Sequence, residues 1–75
     1  MRIYQSETRL KRIRSAHGFS QTQLAERSGV GLRSIQMYEQ RNKDINRAEA
    51  GSLLKLARAL GCEMEDLMEP QGREG

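Results

Sequence analysis

The chain has 75 residues, 31% of them charged and only 4% aromatic, with no Trp and a formal net charge of +3. That length allows one domain with a modest core, and many Leu, Ala, Glu, Arg and Gln beside a single Pro favour packed helices over sheets. A lone Cys62, the lack of any Cys/His cluster and the absence of 18 consecutive apolar residues argue against a disulfide framework, a metal site and a membrane span.

Charge is unevenly placed. Twelve of the thirteen Lys and Arg lie at or before Arg58, whereas five of the ten acids lie after it. A body that faces phosphates with an acidic end turned elsewhere has this distribution, and so does ordinary surface charge on a small helical protein. The opening MRIYQSETRLKR lacks an apolar signal core, so a soluble cytoplasmic protein is expected.

In chain order, Ser6 followed by Glu7 marks a first helix start, Leu10, Ile13, Arg14 and His17 share one face, and Gly18 ends the helix. Ser20-Gln21-Thr22-Gln23 has the capping-box form, in which hydroxyl and amide satisfy each other's backbone donors. Phe19 precedes that cap, placed to staple onto Leu24. The second helix runs to about Ser28 with Leu24 and Ala25 inward, and Gly29 supplies the positive φ of a sharp turn.

A third helix is predicted from about Leu32 to Gln40. At about 100° per residue, Ile35 sets the inward direction, with Leu32, Tyr38 and Glu39 near it. Arg33, Met37 and Gln40 face the opposite way, with Gln36 at the edge of that face. After the polar segment Arg41 to Ile45, Asn46-Arg47-Ala48-Glu49 reads as a second cap. It opens a fourth helix, Arg47 to Leu60, whose broad apolar face holds Ala50, Leu53, Leu54, Leu56, Ala57 and Leu60. Glu63 to Met68 is a short fifth helix with Leu67 inward. Residues 1–68 thus form the domain, and residues 69–75 are expected to be a disordered tail.

Two charges fall on apolar faces, Arg14 on the first helix and Glu39 on the third. A buried charge needs a partner, and each is the obvious candidate for the other, so an interhelical ion pair is expected. The stretch Ser20 to Glu39 is then two short helices joined by a tight Gly turn, the second bearing a polar face with no place in a core. That is the helix-turn-helix pattern, whose second helix enters the DNA major groove.

The ordered set Leu10-x-x-Ile13-Arg14, Gly18-Phe19-Ser20-Gln21-x-x-Leu24-Ala25, Ser28-Gly29-Val30, Ser34-Ile35, Tyr38-Glu39 and Leu53 to Gly61 resembles the lambda-repressor/Cro-like, or XRE-type, helix-turn-helix family. The resemblance covers about Thr8 to Met68. It implies an all-α, compact five-helix domain, with the second and third helices reading DNA. It further implies base-facing roles for Leu32, Arg33, Gln36 and Met37, a phosphate contact by Gln21, and an interhelical ion pair between Arg14 and Glu39. Gly31 departs from the Ser or Thr that commonly begins the third helix in this family, and the segment Asn42 to Arg47 is longer than usual.

Arg33 is the main candidate for direct readout, since a guanidinium can donate two hydrogen bonds to one guanine; its bland alternative is a phosphate contact or a solvated Arg. Gln36 can pair with adenine, and Met37 can pack on a thymine methyl. Ser20, Gln21, Gln40, Arg41, Lys43 and Arg47 are the candidate phosphate contacts. The expected function is sequence-specific double-stranded DNA binding by a small transcriptional regulator, acting as a repressor, with no cofactor. A protein-interaction module such as an antitoxin or adaptor stays open as the alternative, as do a protein partner and a weak homodimer on DNA through Met64, Leu67 and Met68. Enzyme chemistry is not expected: His17 is the only His, Cys62 has no basic neighbour, and no Gly-rich phosphate loop follows a strand.

Overall fold

The computed structural model describes residues 7–70. Five α-helices follow in order, α1 Arg9–Ala16, α2 Gln21–Ser28, α3 Leu32–Glu39, α4 Ala50–Leu60 and α5 Met64–Leu67, with a 3-10 turn at Ile45–Arg47. No strand occurs among the described residues. The described fold is all-helical.

Each end has a local cause. The start expected at Ser6 lies outside the described residues; the residue that caps α1 is Thr8, whose buried Oγ1 accepts from the Lys11 N–H at 3.1 Å. The capping box of α2 is complete, with Ser20 Oγ accepting from Gln23 N–H at 3.0 Å and Gln23 Oε1 accepting from Ser20 N–H at 2.8 Å. Gly29 ends α2 at φ 81°, and Ser28 Oγ holds the next N–H, that of Val30, at 3.0 Å. Gly31 begins α3 and leaves it without a side-chain cap.

The close of α3 is unusual. Arg41 N–H donates to Tyr38 C=O (3.1 Å) and Asn42 N–H to Met37 C=O (2.9 Å), the two bonds of a Schellman closure. The position that such a closure holds in the left-handed region is normally glycine, and here it is Arg41, at φ 63°.

The cap read at Asn46 to Glu49 does not form. α4 starts at Ala50, its N-cap Glu49 makes no side-chain hydrogen bond, and residues 45–47 are the 3-10 turn, capped by Asp44. The reason is long-range: the Asn46 amide is taken by the backbone of Glu69, which local spacing cannot reveal. α5 is likewise shorter than Glu63 to Met68, and Asp66 Oδ2 holds the Glu63 N–H at 2.9 Å. Glu69, expected to open a loose tail, is anchored by the same bonds to Asn46.

One hydrophobic cluster runs through the domain. Leu10, Leu24, Ile35, Leu56, Leu60 and Leu67 are fully buried at its centre, completed by Val30, Tyr38, Ile45, Leu53 and Ala57. α2 packs on both α3 and α4, while α5 packs on α4 and α1. Met64, Met68 and Phe19 rest partly buried on the cluster's edge.

Three inward expectations are corrected. Leu54 is 38% exposed and Ala50 is exposed, because the arc of α4 that meets its neighbours is filled by Leu53, Leu56, Ala57 and Leu60, and a step of about 100° from Leu53 leaves that arc. Leu32 is 36% exposed. As the first helical residue, it leans toward the N-terminus, over the turn and away from the packed length of α3. Cys62 is half-buried, and burial, followed by the charges of Asp66 and Glu63, pushes its thiol pKa up, as befits a small neutral packing residue.

Candidate nucleic-acid interface

What orients α3 is a polar knot beneath it. Arg14 Nε and Nη2 donate to the two carboxylate oxygens of Glu39 at 2.7 and 2.9 Å, a bidentate pair. Arg14 Nη1 donates to the Phe19 carbonyl at 2.7 Å, and Gln21 Nε2 donates to Glu39 Oε1 at 2.9 Å. The Arg14 and Glu39 side chains are 11% and 3% exposed. Hydrogen bonding to the Glu39 carboxylate raises the guanidinium pKa against the opposing effect of burial. Four segments are joined at one point: α1, the turn after it, α2 and α3. With Glu39 at the end of α3 and Gln21 at the start of α2, the two helices of the pair are held in one orientation.

Phe19 seals the edge of this knot. Its ring stacks on His17, with centroids 5.8 Å apart and planes 19° apart, and the Arg27 guanidinium lies 4.7 Å over it. His17 and Arg27 therefore have packing roles.

The opposite side of α3 is open. Arg33 and Gln40 are exposed, Gln36 and Met37 are half-buried, and Leu32 stands exposed at the start. Gln40 accepts from Asn42 Nδ2 at 3.1 Å. After α3 the loop carries Arg41, Lys43 and Arg47, all exposed. Lys43 Nζ lies 5.9 Å from the Tyr38 ring centroid. Lys43 and Arg47 line an open cleft of about 520 Å³ together with Ser34 and Tyr38 of α3 and Ser52 of α4. Lys43 and Arg47 are thus drawn against the flank of α3 that carries Ser34 and Tyr38.

A family model described as helix-turn-helix matches residues 10–67. The chain belongs to the XRE-type helix-turn-helix family. It is a DNA-binding regulator of the lambda-repressor/Cro-like kind, with double-stranded DNA as the ligand of the family. Comparison with curated proteins and with solved structures found no match. No described helix is long and apolar enough to cross a membrane.

Within this XRE-type domain, α2 and α3 are the helix-turn-helix pair. Arg33, Gln36, Met37 and Gln40 share the side of α3 turned away from Ile35, and Leu32 is exposed at its start. Lys43 and Arg47 line the cleft beside Ser34 and Tyr38, whereas Arg41 lies 3.8 Å from Glu69. Ser20 and Gln21 stand differently: the Ser20 hydroxyl caps α2 and the Gln21 amide reaches inward to Glu39. Sequence reasoning missed Ser34 and Ser52 as cleft walls, the Phe19 carbonyl as a partner of Arg14, and the long-range role of Asn46. The first three depend on how close helices and turns approach, and only Asn46 had a local signal, which pointed to a cap instead.

Proposed function

We propose that the chain recognises a specific double-stranded DNA sequence through the major groove and acts as a small transcriptional repressor. The observation that carries this reading is the two-sidedness of α3. Its inner side is locked by the Arg14–Glu39–Gln21 knot, and its outer side presents hydrogen-bonding and apolar groups at helical spacing. A locked helix offers its side chains in one register, which base readout demands.

In this reading Arg33 donates two hydrogen bonds to the O6 and N7 of a guanine, Gln36 pairs with an adenine edge, and Met37 packs on a thymine methyl. Leu32, exposed at the start of the helix, extends the apolar contact. Arg41, Lys43 and Arg47 grip the phosphates that flank the groove, with Gln40 beside them, and set affinity and register rather than sequence. At the start of α2, backbone N–H groups near Ser20 and Gln21 supply the phosphate contact while the two side chains stay in their internal bonds. A weak homodimer would place two such helices about one helical turn, roughly 34 Å, apart on DNA.

The test is selection from a random DNA pool by the parent and by Arg33→Ala. The parent should enrich one motif. Arg33→Ala should lose about 1–3 kcal/mol of discrimination at one G·C pair while keeping nonspecific binding. An unchanged motif would remove Arg33 from the readers. A parent that enriches nothing, yet captures one protein in stoichiometric amount, would favour the antitoxin or adaptor alternative.

A further inference from the structure

We infer that Asn46 is a positioning residue for the DNA-gripping loop, acting through a two-bond clasp on the backbone of Glu69; this rests on the function proposed above. Asn46 Nδ2 donates to the Glu69 carbonyl and Asn46 Oδ1 accepts from the Glu69 N–H, both at 2.8 Å. A carboxamide carries a donor and an acceptor side by side, so it pairs with both backbone groups of one residue, which a carboxylate of the same shape cannot do. The bonds cross 23 positions of the chain and are part-buried.

The clasp holds because its far side is moored. The Glu69 carboxylate accepts from the Arg9 N–H at the start of α1 at 2.6 Å through Oε2, and Oε1 lies 3.8 Å from Arg41 Nη1. The first half of the loop is tied to α3, where the Asn42 and Lys43 N–H groups both donate to the Met37 carbonyl. The second half is held by the buried Ile45 side chain and by the clasp. Arg47 follows Asn46 directly, and Lys43 lies three residues before it. The clasp therefore fixes the backbone from which these cations reach, so that they are ordered before DNA arrives rather than on its arrival.

The experiment measures affinity for a short duplex of arbitrary sequence, well below each variant's melting midpoint, where a loss of stability alone leaves binding unmoved. Asn46→Ala should bind about tenfold more weakly, the order expected when one or two long side chains must be immobilised on binding. Glu69→Pro removes the N–H that Asn46 accepts from and suits the extended backbone of Met68 (ψ 144°), so it should show a similar loss with Asn46 intact. Glu69→Gln keeps both backbone bonds and an amide oxygen that can still accept from the Arg9 N–H, giving up only the 3.8 Å approach to Arg41, and should bind like the parent. Hydrogen exchange at the Glu69 amide should accelerate in Asn46→Ala and stay slow in Glu69→Gln.

Parent-like affinity of folded Asn46→Ala overturns the inference. So does a loss confined to Asn46→Ala with Glu69→Pro unaffected, which would make Asn46 a direct DNA contact, and so does an equal loss in Glu69→Gln, which would assign the effect to the carboxylate. A parent that binds no duplex at any salt concentration removes the function proposed above, and this inference with it.

Discussion

Beneath α3, the Glu39 side chain is 3% exposed and its carboxylate accepts three hydrogen bonds, two from Arg14 and one from Gln21. On the far side of the same helix and in the loop after it, Arg33, Lys43 and Arg47 stand in solvent. The two regions contain similar residues and use them in opposite ways. The buried charges have exchanged water for fixed partners and contribute orientation. The exposed ones keep their water and their ability to take a phosphate or a base in its place. The difference predicts that mutations on one side act on folding and those on the other act on binding.

The largest effect should come from breaking the buried side. Glu39→Ala leaves the Arg14 guanidinium without its carboxylate inside the fold and should cost about 3 kcal/mol. For a domain of this size each kcal/mol lowers the melting midpoint by about 4–8 °C, so thermal denaturation should show a fall well above 10 °C. Replacing both partners, Arg14→Met with Glu39→Leu, should recover much of that loss, since a well-packed apolar pair needs no charge compensation. A Glu39→Ala midpoint within about 3 °C of the parent would mean that the knot does not hold α3.

Exposed cations give the contrasting result. Arg47→Ala should leave stability within about 0.5 kcal/mol. It should reduce the slope of log affinity against log salt by about 0.9, because one fewer phosphate is neutralised. The same loss of slope is expected for Lys43→Ala. A slope equal to the parent's in both variants would take the loop out of the DNA contact and leave α3 to bind alone.

How far each region can be read from the sequence follows from the range of its interactions. Arg14 and Glu39 stand out because helical spacing puts both among apolar residues, and in the fold they meet. The ends of α2 are equally local: Ser20, Gln23 and Gly29 do their work within four residues of themselves. Asn46 is the counterexample. Its neighbours spell a cap, but its amide is claimed by Glu69 from the other end of the domain, and α4 starts later as a result. Leu54 fails for a different reason. Periodicity marks it apolar, but a bundle of five short helices covers α4 on only part of its circumference. On the outward side of α3, periodicity alone separates Arg33, Met37 and Gln40 from the core-facing Ile35 and Tyr38.

Arg41 lies where the two regions meet. It occupies the left-handed position at the end of α3, where a side chain costs about 1 kcal/mol relative to glycine. Arg41→Gly should therefore raise stability in chemical denaturation by that amount less what the contact with Glu69 contributes, while weakening DNA binding and lowering its salt slope. Opposed signs from a single substitution would place Arg41 with the binding residues despite its position in a helix cap. A variant that gains stability with no change in binding would make the strain incidental.

The smallest effect tests whether α4 belongs to either region. Gly51 lies in the first turn of α4, and a Cβ built on it meets nothing within 4 Å. Nothing in the free domain needs glycine there, so Gly51→Ala should stabilise the fold by roughly 0.5 kcal/mol through lower entropy of the unfolded chain. If that gain appears and DNA affinity is unchanged, this face of α4 is ordinary surface. If the gain appears but affinity falls, the missing Cβ leaves room for a close-approaching DNA backbone. Gly51 would then join Lys43 and Arg47 on the binding side, extending the outward region from α3 and its loop to the first turn of α4.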